Sequence, residues 1–187
     1  MNKVLIVVDM QNDFVDGVLG TPEAVDIIDN VVEKISEYKT LTNNQVFATK
    51  DSHSEKYLHT PEGVNLPIKH CITGTTGWNM NNKIIDALCR CPAYKRMYNK
   101  PSFGCEELIQ DLLYGHQRMP FDQIELVGLC TDICVLTNAI MFKQAFAKEF
   151  VDIVVDASCC AGSTPEKHKA ALEVMKSCQI KVINENV

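Results

Sequence analysis

The chain has 187 residues, of which 46% are hydrophobic and 22% are charged, and its formal net charge is −6. This length suits one domain with a substantial core, residues 1–187, and the composition is typical of a soluble globular protein. The charge disfavours a nucleic-acid-binding protein, because no basic run offsets it locally. No apolar run approaches the length needed to cross a bilayer, so no membrane association is expected.

The nine cysteines form an odd number without regular spacing. A first strand that is predicted to begin at Val4 leaves no room for a signal peptide. Both observations favour reduced thiols in the cytoplasm over a disulfide framework. The pairs Cys89-Arg90-Cys91 and Cys159-Cys160 could belong to a thiol-redox or zinc-binding module. They lack the C-x-x-C spacing usual in such sites, so we interpret them as core or incidental thiols.

Hydrophobic periodicity predicts alternating strands and helices along the chain. The predicted strands cover residues 4–8, 45–49, 123–127, 151–155 and 180–183, with an irregular strand or turn at 94–98. The predicted helices cover residues 24–38, 82–88, 106–113, 132–147 and 165–177. Residues 51–79 show little periodicity, and a loop this long is usually functional. The alternation predicts an α/β sandwich with a mainly parallel sheet.

The stretch from residue 127 to 135 carries the most specific chemical pattern. An apolar strand runs into Thr131 and Asp132, both good helix-capping residues, and helical spacing follows. Cys134 would then lie in the first helical turn, where the helix dipole favours the thiolate and backbone N–H groups could receive an oxyanion. The alternative is a buried structural cysteine, since free cysteines are often buried.

Further reactive residues follow other predicted strands. Ligand sites in parallel sheets lie beyond the carboxyl ends of strands, where Asp9, Asp51 and the turn of Cys134 all fall. Asp9 could exchange a proton with a nearby thiol, or could merely close its strand in an Asx-turn. Lys100 could supply positive charge to hold a thiolate, or could be an ordinary surface lysine.

A group of metal-ligand residue types lies in the long loop. Asp51 and His53 are two residues apart, and His59, Glu62 and His70 follow. Such oxygen and nitrogen ligands suit a divalent metal such as zinc, manganese or iron. The alternative is a polar loop with scattered histidines.

Five segments, taken together and in this order, resemble the isochorismatase-like cysteine hydrolases of the nicotinamidase type. They are residues 8–14 (Val-Asp-Met-Gln-Asn-Asp-Phe), 51–53 (Asp-Ser-His), 66–75, 100–103 (Lys-Pro-Ser-Phe) and 128–135 (Gly-Leu-Cys-Thr-Asp-Ile-Cys-Val). The resemblance implies a three-layer α/β/α sandwich with a six-stranded, mainly parallel sheet. It further implies an Asp–Lys–Cys triad with a metal beside it.

The resemblance also implies a role for each member of the triad. Cys134 would be the nucleophile, Asp9 the proton shuttle and Lys100 the cation that polarises the pair. A cis peptide bond between Leu129 and Cys130 is implied as well, which would aim the backbone N–H groups of Cys130 and Cys134 at one oxyanion. Cys130 departs from the family pattern, which more often has alanine there, and a second thiol so close to the nucleophile raises the question of oxidation.

The metal ligands implied by the resemblance are Asp51, His53 and His70. Some nicotinamidases use a histidine and others a glutamate as a fourth ligand, for which His59 and Glu62 are the two candidates. We favour Glu62, because the residues around it resemble those of the glutamate-bearing members. Zinc is the expected metal, with manganese or iron as alternatives.

The implied reaction is the deamidation of nicotinamide to nicotinate and ammonia through a thioester on Cys134. Phe14 and Trp78 are candidate apolar walls for a flat ring, although each could be a plain core residue. The alternative is a related cysteine hydrolase that acts on another small carboxamide or carbamoyl compound. Isochorismate hydrolysis is disfavoured, because those relatives lack the nucleophilic cysteine and the metal ligands. Whether the chain forms a homo-oligomer is left open.

Overall fold

In the computed structural model, which describes residues 2–39 and 43–185, six parallel strands form one sheet in the order β3-β2-β1-β4-β5-β6. The strands are β1 (Lys3–Val8), β2 (Gln45–Asp51), β3 (Tyr94–Lys100), β4 (Gln123–Leu129), β5 (Asp152–Ala161) and β6 (Lys181–Ile183). Every neighbouring pair of these strands is parallel. The predicted six-stranded α/β fold is therefore confirmed, and its sheet is wholly parallel.

Helices connect the strands on both sides of the sheet. They are α1 (Asn12–Val15), α2 (Pro22–Asp26), α3 (Ile28–Glu37), α4 (Pro61–Asn65), α5 (Asn82–Cys89), α6 (Glu106–Arg118), α7 (Leu136–Ala145) and α8 (Pro165–Ser177). A 3₁₀ turn, Tyr57–His59, precedes α4, and a turn of π-helix, Thr131–Val135, precedes α7. No helix in the described part of the chain is both long and apolar enough to span a membrane.

The three layers follow from the apolar run of β1. Successive side chains of a strand point to opposite faces, so a strand buried on both faces must be apolar throughout. Val4 and Ile6 pack into one core with α6, α7 and α8, whereas Leu5 and Val7 pack into a second core with α3 and α5. Each face of the sheet is thus covered by its own layer of helices.

Several element boundaries differ from the predictions. The helix predicted over residues 24–38 is divided at Ile27 into α2 and α3. The segment 94–98, predicted as an irregular strand or turn, is a strand that reaches Lys100 and pairs with β2, with a shift of register between Val46 and Phe47. The helix predicted from residue 132 begins as a π-helical turn, in which the N–H of Val135 donates to the carbonyl of Cys130 at 3.1 Å.

The chain reverses its winding direction between β1 and β4, which lie side by side in the sheet. From β1 the sheet extends through β2 to β3 on one side, and through β4 and β5 to β6 on the other. Parallel sheets leave a crevice beyond the carboxyl ends of the strands at such a point. Residues that follow β1 and β4, together with the end of β2, therefore face one crevice.

Candidate active site

Asp9 follows β1 directly and is wholly buried. Its backbone has a φ of +46°, in the left-handed region that turns the chain away from the strand direction. Its N–H donates to the carbonyl of Thr49 on β2 at 3.2 Å, and the Thr49 hydroxyl donates to Asp9 Oδ1 at 2.7 Å. Two bonds to the neighbouring strand therefore fix the position of this carboxylate.

Lys100 is the last residue of β3, and its side chain is 1% exposed. Its ammonium nitrogen lies 2.7 Å from Asp9 Oδ2 and 3.7 Å from Asp51 Oδ1. It donates to the Ser102 carbonyl at 2.9 Å and lies 3.4 Å from the sulfur of Cys134. One buried cation thus contacts both the carboxylate and the thiol that the sequence assigned to catalysis.

Cys134 is held by the turn that follows β4. The peptide bond between Leu129 and Cys130 is cis, as the family resemblance implied. Just before it, Gly128 has a φ of +115°, and a Cβ at this position would lie 2.1 Å from the carbonyl oxygen of Val8. Only glycine allows β4 to approach β1 so closely with this backbone. The buried Cys134 side chain is thereby brought beside the end of β1.

Burial dominates the electrostatics of the Cys134 thiol. Burial, reinforced by the Asp9 charge, raises the pKa of the Cys134 thiol well above its ordinary value. Cys134 lies in the π-helical turn that runs directly into α7, as predicted, and burial opposes the stabilisation of its thiolate that is expected from the helix dipole. A thiol whose pKa is raised needs a base within reach for its activation.

Asp9 and Lys100 have the charges that this activation needs. Burial raises the pKa of Asp9, although Lys100 opposes this shift. Burial lowers the pKa of Lys100, but the charges of Asp9, Cys134 and Asp51 outweigh it and raise the pKa above its ordinary value. Lys100 therefore stays charged, and a carboxylate with a raised pKa accepts a proton from a thiol more readily.

Beside this triad, four side chains form a cluster of potential metal ligands: Asp51, His53, Glu62 and His70, whose ligand atoms all lie within 4.8 Å of one another. Asp51 Oδ2 is 2.9 Å from Nε2 of His53 and 3.4 Å from Nε2 of His70. Glu62 Oε1 is 3.6 Å and 3.8 Å from the same two nitrogens. His59, the other candidate for a fourth ligand, is exposed in the 3₁₀ turn and lies outside this cluster.

The cluster has the chemistry of a divalent-metal site. Two carboxylates and two imidazoles are ligands for zinc, manganese or iron. Asp51 Oδ1 is buried and has no hydrogen-bond partner in the described structure. Nδ1 of His70 lies 2.8 Å from the carbonyl of Ile68, a contact that leaves Nε2 for a metal. These residues therefore fit the metal that the sequence predicted.

A cavity of about 370 Å³ opens over both groups. Cys134 and Cys130 line it together with the ligand candidates Asp51, Glu62 and His70. Phe14 also lines it, with its ring centroid 5.5 Å from that of His70, as expected for an apolar wall.

Trp78 is not among the residues that line the cavity, so its role as a second aromatic wall stays a prediction. The ammonium of Lys50 lies 2.9 Å from the centroid of the Trp78 ring, and the indole N–H donates to the Ser52 hydroxyl at 2.8 Å. These contacts hold the indole against the end of β2. Trp78 therefore supports the strand that presents Asp51.

Comparison with known proteins agrees with this geometry. The isochorismatase domain family matches residues 3–186. The isochorismatase family protein PncA of Bacillus subtilis is 30% identical over 181 residues, which cover 92% of this chain and 93% of the relative. The chain belongs to the isochorismatase family. The nicotinamidase/pyrazinamidase of Mycobacterium tuberculosis is 27% identical over 97% of this chain and 98% of its own length.

Solved structures of family members have the same fold. The crystal structure of nicotinamidase/pyrazinamidase PncA from Bacillus subtilis superposes with a TM-score of 0.79 at 28% identity, covering 98% of this chain and 100% of that one. The pyrazinamidase of Pyrococcus horikoshii, solved in complex with zinc, has a TM-score of 0.74 at 26% identity, covering 98% and 99%. The resemblance to nicotinamidase-type members of the isochorismatase family is thus confirmed.

Sequence reasoning missed three residues that position the candidate metal ligands and the Asp9 carboxylate of this isochorismatase-family site. Gln11 donates to the carbonyl of Asp51 and accepts from its N–H, at 2.9 and 2.7 Å. Tyr57 packs its ring against the imidazoles of His53 and His70, with centroids 4.6 and 4.9 Å away. Thr49, the third, precedes Asp51 by two residues, so period-two spacing could have placed both side chains on one face of β2.

Proposed function

We propose that this chain hydrolyses nicotinamide to nicotinate and ammonia through a thioester on Cys134, with a divalent metal bound beside the triad. That it is a nicotinamidase-like amide-bond hydrolase follows from its family and from its nicotinamidase relatives. The observation that carries the finer proposal is the contact of the Lys100 ammonium with both Asp9 and Cys134.

The first half of the reaction forms the thioester. Asp9 takes the proton of Cys134, and the sulfur attacks the carboxamide carbon. Backbone N–H groups of Cys130 and Cys134 are proposed to receive the oxyanion that develops. Asp9 then returns the proton to the amide nitrogen, so that ammonia leaves when the C–N bond breaks.

The second half releases the acid. Asp9, again a carboxylate, takes a proton from a water molecule, and the oxygen of this water attacks the thioester carbon. The C–S bond breaks, and the Cys134 thiolate recovers its proton from Asp9. Throughout the cycle Lys100 keeps its charge and stabilises whichever of the two groups is anionic, which is the reason for a cation between them.

Asp51, His53, Glu62 and His70 would hold the metal. A divalent ion bound there would act as a Lewis acid that binds the pyridine nitrogen and so orients the ring. Phe14, on the cavity wall beside His70, would pack against the ring. The cavity volume of about 370 Å³ lies at the small end of the range for ligand pockets, which suits a single ring with one carboxamide.

Ammonia release from nicotinamide, measured with the parent enzyme and two cysteine variants, tests this function. Cys134→Ala should abolish turnover because it removes the nucleophile, whereas Cys130→Ala, in which the matched thiol of the same cavity is removed, should keep a measurable share. Parallel assays with other aromatic and aliphatic amides compare nicotinamide with the alternative substrates. Turnover by Cys134→Ala within tenfold of the parent would rule out the thioester, and a higher kcat/KM for another amide would reassign the substrate.

A further inference from the structure

The cavity wall carries one residue whose charge the proposed reaction does not use. Lys167, in the first turn of α8, is the only lysine or arginine among the described residues that line the cavity. The other ionisable groups on this wall are the carboxylates Asp51 and Glu62, the His70 imidazole and the two thiols. A single cation on a wall with two carboxylates gives the cavity an uneven charge distribution.

The backbone of Lys167 is fixed next to the nucleophile turn. Its N–H donates to the hydroxyl of Thr164, which caps α8, at 3.2 Å. The next residue, His168, places its Nδ1 2.8 Å from the hydroxyl of Thr131 in the π-helical turn. Burial raises the pKa of the Cys130 thiol to about 12, and the Lys167 charge is close enough to oppose this shift. The Lys167 ammonium therefore lies on the side of the cavity that Cys130 lines.

The Lys167 ammonium has no neutralising partner in the described part of the chain. Within residues 2–39 and 43–185, Lys167 Nζ makes neither a hydrogen bond nor an ion pair. The nearby carboxylate of Asp132 is already engaged, because it accepts from both the N–H and the hydroxyl of Ser163 at 2.7 Å. The ordinary interpretation is a lysine solvated at the cavity mouth. Its position on the wall of a substrate cavity, beside the reactive turn, favours a ligand contact instead.

We propose that Lys167 is a specificity-determining residue that binds a carboxylate on the substrate, so that a nicotinamide with a carboxylate on its ring is preferred to one with an uncharged group of similar size at the same position. This inference rests on the proposed amide hydrolysis at Cys134. The net charge of −6 disfavours the approach of an anionic substrate, and Lys167 is the only lysine or arginine on the described cavity wall that can offset it. A carboxylate fits better than a phosphate ester, because the cavity is small and offers one ammonium among apolar walls such as Leu19 and Ile133.

A pairwise substrate comparison tests the proposal. Nicotinamides that carry a carboxylate at each free ring position are assayed for ammonia release, each against the derivative with a methyl group at the same position. The enzymes are the parent, Lys167→Met and Lys169→Met. Lys169 is a matched control, because it is an exposed lysine of the same helix that lines a different surface cleft.

The parent should have a higher kcat/KM for the carboxylate than for the methyl derivative at one ring position at least. Lys167→Met should lower this preference by about fivefold, the upper range for a pair that water partly screens, while nicotinamide turnover stays within twofold. The preference should also shrink at high salt, which a packing role would not produce. An unchanged preference in Lys167→Met, or an equal loss in Lys169→Met, would overturn the assignment.

Failure of the proposed function would give a different result, namely no ammonia from any amide with the parent enzyme. The carboxylate subsite would then be tested by calorimetry, with nicotinate and a pyridine dicarboxylate as ligands. Tighter binding of the dicarboxylate by the parent, lost in Lys167→Met, would support the subsite. Equal binding of the two acids by the parent would refute it.

Discussion

Lys100→Met is the substitution that most directly perturbs the triad. Methionine approximates the length and volume of lysine, so it removes the charge without opening a large cavity. The ammonium lies 2.7 Å from Asp9 and 3.4 Å from Cys134, and it is 1% exposed. Since water cannot replace such a buried cation, the Asp9 carboxylate loses its counter-charge.

The cost to stability can be bounded from this geometry. Removal of one partner from a buried ion pair typically costs about 3–5 kcal/mol. Asp9 can reduce this cost by taking up a proton, since burial has already raised its pKa and Lys100 is the main group that opposes the shift. We therefore expect a loss of about 2–4 kcal/mol in the free energy of unfolding at neutral pH.

The pH dependence has a definite sign. In the variant, the pKa of Asp9 in the folded state is raised further above the unfolded value of about 4. The folded state then binds a proton that the unfolded state does not, so its stability is greatest below the unfolded pKa. It falls as pH rises through the folded pKa. Activity should drop by at least about 10²-fold at neutral pH, because protonated Asp9 can no longer act as a base.

Denaturant unfolding from pH 4 to 8 and ammonia release measure the two effects. The double variant Asp9→Asn, Lys100→Met is the critical control, because it removes both charges. It should recover much of the lost stability and remain as inactive as either single variant. Equal stability of the single and double variants would refute the buried-pair argument. Activity of Lys100→Met within tenfold of the parent would refute the role of Lys100 in the triad.

Three further predictions concern the metal cluster, the strand approach and the aromatic residues. In a calorimetric titration of the apo protein with Zn²⁺, Glu62→Gln should weaken binding at least tenfold, whereas His59→Gln should leave it unchanged. The reverse result would make His59 the fourth ligand. Gly128→Ala should lower the free energy of unfolding by about 3 kcal/mol or prevent folding, because its Cβ would collide with the β1 backbone; a melting temperature near that of the parent would contradict the close approach. Phe14→Ala should raise KM for nicotinamide severalfold and Trp78→Phe should leave KM within about twofold, and an equal rise in both would restore Trp78 to the cavity wall.

The fold was predictable from sequence because its strands are buried on both faces. A run such as residues 4–8 must then be apolar throughout, and its alternation with amphipathic helices permits few arrangements other than a parallel sheet. The errors fall where tertiary contacts override local pattern. Lys100 ends β3, a strand with few apolar residues that forms by pairing with β2 and whose register shifts near Val46. No local signal distinguishes such an edge strand from a loop.

The sequence predicted the residues of the candidate site less completely than it predicted the fold. Asp9, Asp51 and Cys134 could be placed at one edge, because the carboxyl ends of parallel strands meet there. Their mutual distances, and the choice of Glu62 over His59 as the neighbour of the histidines, depend on how the long loop folds back over the sheet. The buried packing of Tyr57 fixes that path, and periodicity gives no information about it.

The position of the resting proton links the fold to the chemistry. A thiol at the start of a helix is expected to ionise easily, yet burial of Cys134 raises its pKa instead. A thiolate that formed permanently in this cavity would be exposed to oxidation, particularly with Cys130 on the same wall. In the proposed reaction, a thiol with a raised pKa beside a base with a raised pKa would form the thiolate only when a substrate carbon is available to bind it. The contact of Lys100 with both Asp9 and Cys134 permits this, because the cation stabilises the negative charge on either side of the proton transfer.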